Sequence, residues 1–352
     1  MSKLVRGGLR PEMDGLVAFV RTDPEADVLV VTNMWPERDR PVYGIHVQRQ
    51  VESLVRAGVR CDVLYVRGYR SALAYPLAAV RFLWSSLAWR GRYRLVHAYS
   101  GETALAVRFH LGTPIVASYC GDDLLGDRRA DGSIPFASTV RTCLLRLHAE
   151  LLTRTITKSA EMDRVLPAGA RRKNAIIPNG VDTELFHPRP LGEARVELGW
   201  TLEERVVLFC ATKPHSAAKR LPLAERACAL AASRIGPIRL EIVTKLDPAT
   251  VPLLMSAADC LLSTSAVEGS PNSVKEALMC NLPVIATPVG DIEELLEGVT
   301  PSWLCPPHED ALAAALVDCL SKRQRSNGRA VAARLGEEAV ARRVLEVYES
   351  AV

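Results

Sequence analysis

The sequence predicts an α/β protein built from two doubly wound domains with parallel sheets, and three observations carry that prediction. A chain of 352 residues exceeds what one hydrophobic core comfortably holds, so two domains are expected. Short, continuous β-branched runs recur between helix-length segments, which is the pattern of strands buried on both faces and joined by crossover helices. Turn-forming residues cluster from Pro178 to Asp182 and from Phe186 to Pro190, where one strand–helix series gives way to another.

Taken in order, the first series places strands at Val28–Thr32, Cys61–Val66, Leu95–His97, Ile115–Ser118 and Thr155–Thr157. The second places them at Val206–Cys210, Leu240–Thr244, Cys260–Ser263, Val284–Thr287 and Trp303–Cys305. Residues 1–27 precede the first expected strand and receive no role. The domains are expected to span 1–185 and 186–335, with a terminal helix over 336–352 free to pack back on the first domain. In such folds ligands sit beyond the carboxyl ends of the strands, so the cleft between the two sheets is the expected site.

Composition is that of an ordinary globular chain, with 48% hydrophobic and 24% charged residues, which argues against disorder. A net charge of +4 with scattered Lys and Arg argues against a nucleic-acid partner. The nine cysteines are odd in number, form no C-x-x-C pair and mostly sit in apolar runs, as reduced core residues of a cytosolic protein would. The first twenty residues carry no continuous apolar stretch, so no cleavable signal is read and a cytoplasmic location is expected. The segment from Ala72 to Trp89 is the most apolar, but Pro76, Arg81 and two serines make it a poor membrane span. With Arg90, Arg92 and Arg94 behind it, it suits either peripheral contact with the inner face of an anionic membrane or an ordinary helix with a solvated basic end.

The densest chemical signal runs from Val267 to Ala277, leaving an expected strand through a small-residue loop and entering a helix. The first turn of a helix offers unpaired N–H groups and partial positive charge, which together hold a pyrophosphate. Gly269 removes side-chain bulk where a ligand would approach. Ser273 and Glu276 read as a capping box, which explains one glutamate by helix chemistry alone. Glu268 is left over, and a carboxylate there can accept hydrogen bonds from sugar or ribose hydroxyls.

The stretch from Glu268 through Gly269, Ser270, Pro271, Asn272, Ser273 and Glu276 to Gly290 resembles the donor-site signature of retaining glycosyltransferases of family 4, with its two glutamates eight residues apart. The segments 177–186, 95–101 and 114–123 resemble that family's interdomain and amino-terminal loops, in the right order. The resemblance implies a GT-B fold with a nucleotide diphosphate sugar bound mainly by the second domain. It also implies transfer that retains anomeric configuration without a metal or other cofactor. Glu268 would position the sugar, Lys219 would oppose the leaving phosphate, and the loop from Gly269 to Ser273 with Glu276 would bind the donor.

The family's usual Arg partner to Lys219 is absent: Pro214 occupies its place and Lys213, one residue earlier, is either a substitute cation or a solvated loop charge. Cys120 stands where many members carry a histidine near the reacting sugar, and reads as a small hydrophobe rather than a catalytic thiol. Gly44 matches the family's glycine loop, although one glycine stands where two are usual. Asp123 suits acceptor or sugar hydroxyls or a turn cap; His97 suits the acceptor side or the core. The acceptor is expected to be a glycan or lipid-linked glycan, from likeness to transferases of surface polysaccharides, with small molecules also open. Base contacts are expected from loops near Lys245 and Ser265. The rival readings are a nucleotide-sugar-binding partner subunit without catalysis, and a GT-B epimerase or phosphorylase.

Overall fold

The computed structural model describes residues 15–89, 91–108, 112–127, 133–244 and 249–352. Its first sheet has seven strands: β1 (Val17–Arg21), β2 (Val28–Thr32), β3 (Cys61–Val66), β4 (Leu95–Tyr99), β5 (Ile115–Ser118), β6 (Arg154–Thr157) and β7 (Asn174–Ile176). They lie in the order β1-β3-β2-β4-β5-β6-β7, with only β1 antiparallel to its neighbour. The second sheet is wholly parallel, in the order β12-β11-β10-β8-β9, from β8 (Val206–Cys210), β9 (Arg239–Val243), β10 (Cys260–Ser263), β11 (Val284–Ala286) and β12 (Ser302–Leu304).

The ten strands expected from β-branched runs are present with ends shifted by at most two residues. Two strands went unread. The β1 strand sits at a sheet edge, with only Val17 and Val20 buried, and its short mixed run carries no double-sided apolar signal. The β7 strand is three residues, Asn-Ala-Ile, with no residue fully buried. Residues 15–27, which received no role from the sequence, thus supply an antiparallel edge strand.

Alternation along β2 shows how the sheet is covered. Leu29 and Val31 join one core with Ala74, Ala78, Phe82, Ala104 and Ala149, so helices Ala74–Ala88, Gly101–Val107 and Phe136–Ala149 lie on that face. Val28 and Val30 join the opposite core with Val47, Val51 and Leu54 of helix Ile45–Arg56 and Val340, Val344 and Tyr348 of helix Glu337–Glu349. Each such fully buried aliphatic side chain contributes about 1.5–3 kcal/mol, so neither face can be left bare. The chain crosses between the domains at 178–180, because Ile177 belongs to the first core and Val181 to the second. That crossing lies ahead of residue 185, where the sequence suggests the boundary. It returns after Leu335, and the last helix closes the first domain. Among the described residues no helix is long and apolar enough to cross a membrane.

Candidate active site

The carboxyl ends of both sheets open onto a cavity of about 760 Å³ between the domains. Its second-domain wall is made by the loops after β8 and β10. Thr264 ties them together, its hydroxyl donating to the carbonyls of Lys219 (2.9 Å) and Arg220 (3.0 Å). This brings Lys219 Nζ onto the Glu268 carboxylate, which also accepts a hydrogen bond from Ser265 Oγ at 2.7 Å. Both side chains line the cavity and are only partly covered, so a ligand can replace each one's partner.

The loop that follows is pinned from two sides. Gly290 adopts φ +61°, and a Cβ there would meet the Glu268 carbonyl oxygen at 2.6 Å, so only glycine lets the loop pass. Gly269 presses on the first domain, where a Cβ would lie 3.3 Å from Met162 Sδ and 3.5 Å from the Cys120 carbonyl. Ser270 Oγ donates to Asp291 at 2.6 Å and accepts from Lys275 Nζ at 3.1 Å. Lys275 also donates to the Asn179 carbonyl at 3.1 Å; burial lowers its pKa to about 8 and raises that of Asp291 to about 6.

The helix begins at Asn272 with Pro271 as its N-cap residue, and no side chain caps it. The capping-box reading of Ser273 and Glu276 is therefore corrected. Pro271 fixes a starting φ two residues earlier, Ser273 falls inside the first turn, and its side chain lines the cavity. Glu276, one turn on, faces Arg49 of the first domain at 3.7 Å, and burial raises its pKa ahead of the lowering by Arg49 and Lys275. The first-turn amides of Asn272, Ser273 and Val274 have no intrahelical acceptor by construction and point at the cavity end of the helix.

The first-domain wall behaves differently. Asp123 is buried, and its carboxylate accepts from the backbone N–H groups of Cys120 (3.1 Å), Gly121 (2.9 Å) and Gly101 (3.1 Å). It holds the turn after β5 against the helix after β4. Burial raises its pKa to about 6. Cys120 lines the cavity with its thiol pushed up by burial, and so protonated, which fits a small hydrophobe and not a nucleophile.

His97 does not reach the cavity. It is buried, with Nδ1 2.6 Å from Tyr348 Oη and Nε2 2.8 Å from Ser118 Oγ, and burial lowers its pKa to about 3. Its place on the acceptor side is corrected to a core residue that docks the last helix, because β4 points it away from the cleft onto that helix. Gly44 adopts φ +76° ahead of helix Ile45–Arg56, with a Cβ barred by the backbone of Met34 and Trp35. Turn geometry accounts for it, while its neighbours Tyr43 and Ile45 line the cavity. Lys213 stands exposed on the cavity rim. Lys245 lies outside the described residues, and Ser265 is engaged with Glu268.

Several residues in or behind the cleft wall carry no mark in the sequence. Arg49 and His46 lie on one face of helix Ile45–Arg56 and line the cavity, and burial with the nearby Lys158, Lys275 and Arg49 lowers the His46 pKa to about 4. Their i, i+3 spacing just after Gly44 is the one feature that could have pointed to them. Lys158, directly after β6, is 2% exposed and its Nζ has no hydrogen-bond partner among the described residues; Cys120 and Asp123 partly offset the burial that lowers its pKa. A lysine at a strand end carries no sequence mark that would distinguish it from a solvated one. Among the described residues no group of three or more His, Cys, Asp or Glu is placed to hold a metal ion.

Comparison with known proteins places this geometry. Residues 216–322 match the family model described as Glycosyl transferases group 1. A D-inositol 3-phosphate glycosyltransferase of Thermobispora bispora is 26% identical over 308 residues, covering 74% of this chain and 72% of that protein. A 2-deoxystreptamine N-acetyl-D-glucosaminyltransferase of Streptomyces fradiae is 36% identical over 109 residues, 29% of this chain and 26% of its own length. Among solved structures, sucrose-phosphate synthase from Thermosynechococcus elongatus superposes with a TM-score of 0.71 at 18% identity, covering 92% of this chain and 98% of that one. Anabaena Alr3699/HepE in complex with UDP and glucose gives 0.68 at 18% identity, covering 92% and 100%. The two parallel-sheet domains are those of the GT-B fold, and the group 1 match across the second of them supports a glycosyltransferase.

Proposed function

We propose that the chain is a metal-independent, retaining glycosyltransferase that moves a sugar from a nucleotide diphosphate sugar to a hydroxyl of a glycan or lipid-linked glycan. The observation that carries this reading is the contact of Lys219 with Glu268 at the open end of helix Asn272–Met279, inside a cavity between two sheets. A cation, a carboxylate and a set of free amides are what a sugar diphosphate needs at its phosphates and hydroxyls. The donor complexes of a fold relative, Alr3699/HepE with UDP-glucose, point the same way.

In this mechanism the bond from C1 to the phosphate oxygen lengthens and leaves an oxocarbenium-like sugar. Lys219 and the amides of Asn272 to Val274 take up charge on the departing diphosphate. Glu268, released from Lys219, accepts from sugar hydroxyls and positions the ring. The acceptor oxygen attacks from the face the diphosphate leaves, its proton passing to the leaving phosphate oxygen, so configuration is kept. Arg49 and Lys213 supply further positive charge at the cleft in place of the arginine missing beside Lys219.

A panel of UDP-, GDP-, ADP- and TDP-sugars in EDTA tests this by thermal shift and by slow donor hydrolysis. One donor is expected to stabilise the protein and be hydrolysed, and the product of transfer to keep its anomeric configuration by NMR. No response to any donor would favour a partner subunit without catalysis; inversion, or dependence on an added metal, would remove those parts of the reading.

A further inference from the structure

Lys158 is a buried cation that the transfer chemistry leaves unused. It is 2% exposed, and among the described residues its Nζ meets no hydrogen-bond acceptor and forms no ion pair. Burying an ammonium is costly unless an anion meets it. Asp123 and Cys120 offset that cost only in part. The Asp123 carboxylate is spent on the backbone N–H groups of Gly101, Cys120 and Gly121, and the Cys120 thiol is held protonated by its burial.

The fold sets this ammonium beside the place of the sugar. Strands β5 and β6 are neighbours with Ser118 opposite Ile156, so Cys120 and Lys158 each stand two residues past one paired position, at the strand ends that open on the cleft. From the other domain Gly269 comes up to the same wall. A Cβ on it would lie 3.5 Å from the Cys120 carbonyl and 3.6 Å from the Gly121 Cα. On the transferase reading, a sugar positioned by Glu268, the residue before Gly269, therefore has one edge at Cys120. The thiol there is a weak hydrogen-bond donor and offers little to a hydroxyl. The charge next to it offers much to an anion. Lys275 and Arg49 add to that charge: after burial, these two and Lys158 lower the pKa of His46, which lines the cavity. The diphosphate is already met by Lys219 and the helix amides, so the anion left for Lys158 is one on the sugar itself. On a hexose that group is the carboxylate of an oxidised C6.

We infer that Lys158 is a specificity-determining residue, and that the donor sugar is a hexuronic acid whose carboxylate lies at the Cys120 wall and compensates the buried ammonium. The inference rests on the transferase reading and names the sugar class that reading leaves open. To test it, each nucleotide of the donor panel is offered with a neutral hexose and with the matching hexuronic acid, UDP-glucose against UDP-glucuronic acid for instance. The kcat/KM of donor hydrolysis is measured for the natural chain, Lys158→Met and Lys158→Gln. The natural chain is expected to favour the hexuronic acid by about tenfold or more, the usual worth of a contact to a charged group, and both variants to lose that preference. The melting temperature of Lys158→Met is expected to hold or rise, because an unpaired buried charge gives way to an apolar side chain. A natural chain that favours the neutral hexose or treats the two alike, or a preference that survives in both variants, would overturn the assignment. So would a fall in kcat/KM for both sugars in step with melting temperature, which would make Lys158 a structural counter-charge to Asp123. No turnover of any donor would instead overturn the transferase reading, and the assignment with it.

Discussion

Two of the carboxylates that line the cleft, Asp123 and Glu268, are held in different ways. Asp123, on the first-domain wall, spends its oxygens on three backbone amides of its own turn. Glu268, on the second-domain wall, takes its contacts from two side chains, Lys219 and Ser265, on the single oxygen Oε1. A carboxylate bonded to backbone is committed to the fold, because withdrawing it leaves buried donors unpaired. One bonded to side chains in a cavity can exchange them for a ligand without unpairing the backbone. These two carboxylates therefore divide shape from chemistry.

The largest test of that division is Lys219→Met. It is expected to lower donor turnover by about 10²–10³-fold, the usual loss when a group that meets developing charge is removed. Its unfolding midpoint should stay near that of the natural chain, since Lys219 is partly exposed. Gly290→Ala comes next. The new Cβ would meet the Glu268 carbonyl, 2.6 Å away, at a φ of +61°, which displaces Glu268 and is expected to cost about tenfold in turnover along with about 1–3 kcal/mol of stability. Urea unfolding and initial rates on the same sample separate the two effects.

On the other wall the balance reverses. Asp123→Asn turns an N–H group toward backbone amides that need an acceptor, and is expected to lose about 1–3 kcal/mol in urea unfolding. Turnover per folded molecule should change by less than the stability does. An activity loss as deep as that of Lys219→Met, with unfolding unchanged, would break the comparison.

The smallest effect is expected at His97. His97→Phe leaves Tyr348 and Ser118 without a buried partner, for about 1–3 kcal/mol at neutral pH, and turnover is expected to hold. The pH dependence has a definite sign. The folded pKa of about 3 lies below the ordinary 6.5, so the unfolded chain takes up a proton that the folded chain refuses. The contribution of neutral His97 is then full above 6.5 and is lost as pH falls. The gap between variant and natural chain should narrow from pH 7 toward pH 4 in urea titrations.

Much of the fold was legible because burial on both faces writes long β-branched runs. Where burial was partial, as in β1, or the strand was three residues, as in β7, the run disappeared. The loop from Glu268 to Ser273 stood out for a related reason: glycine, serine, proline and paired glutamates cluster there between a strand and a helix. Its local geometry was not. Pro271 moves the helix start and so frees Ser273 and Glu276 from capping, a shift of two residues that the S-x-x-E spacing cannot reveal. Lys158 and Lys275 were invisible for the opposite reason, since a long basic side chain reads as solvated until the fold buries it.

The most direct test of the central claim is the turnover of Glu268→Gln with the donor found in the panel, measured beside its urea midpoint. The division of the cleft predicts a fall of about 10²–10³-fold in turnover with the midpoint unmoved. Turnover that survives, or a midpoint that falls in step with activity, would contradict it and return Glu268 to the role Asp123 plays.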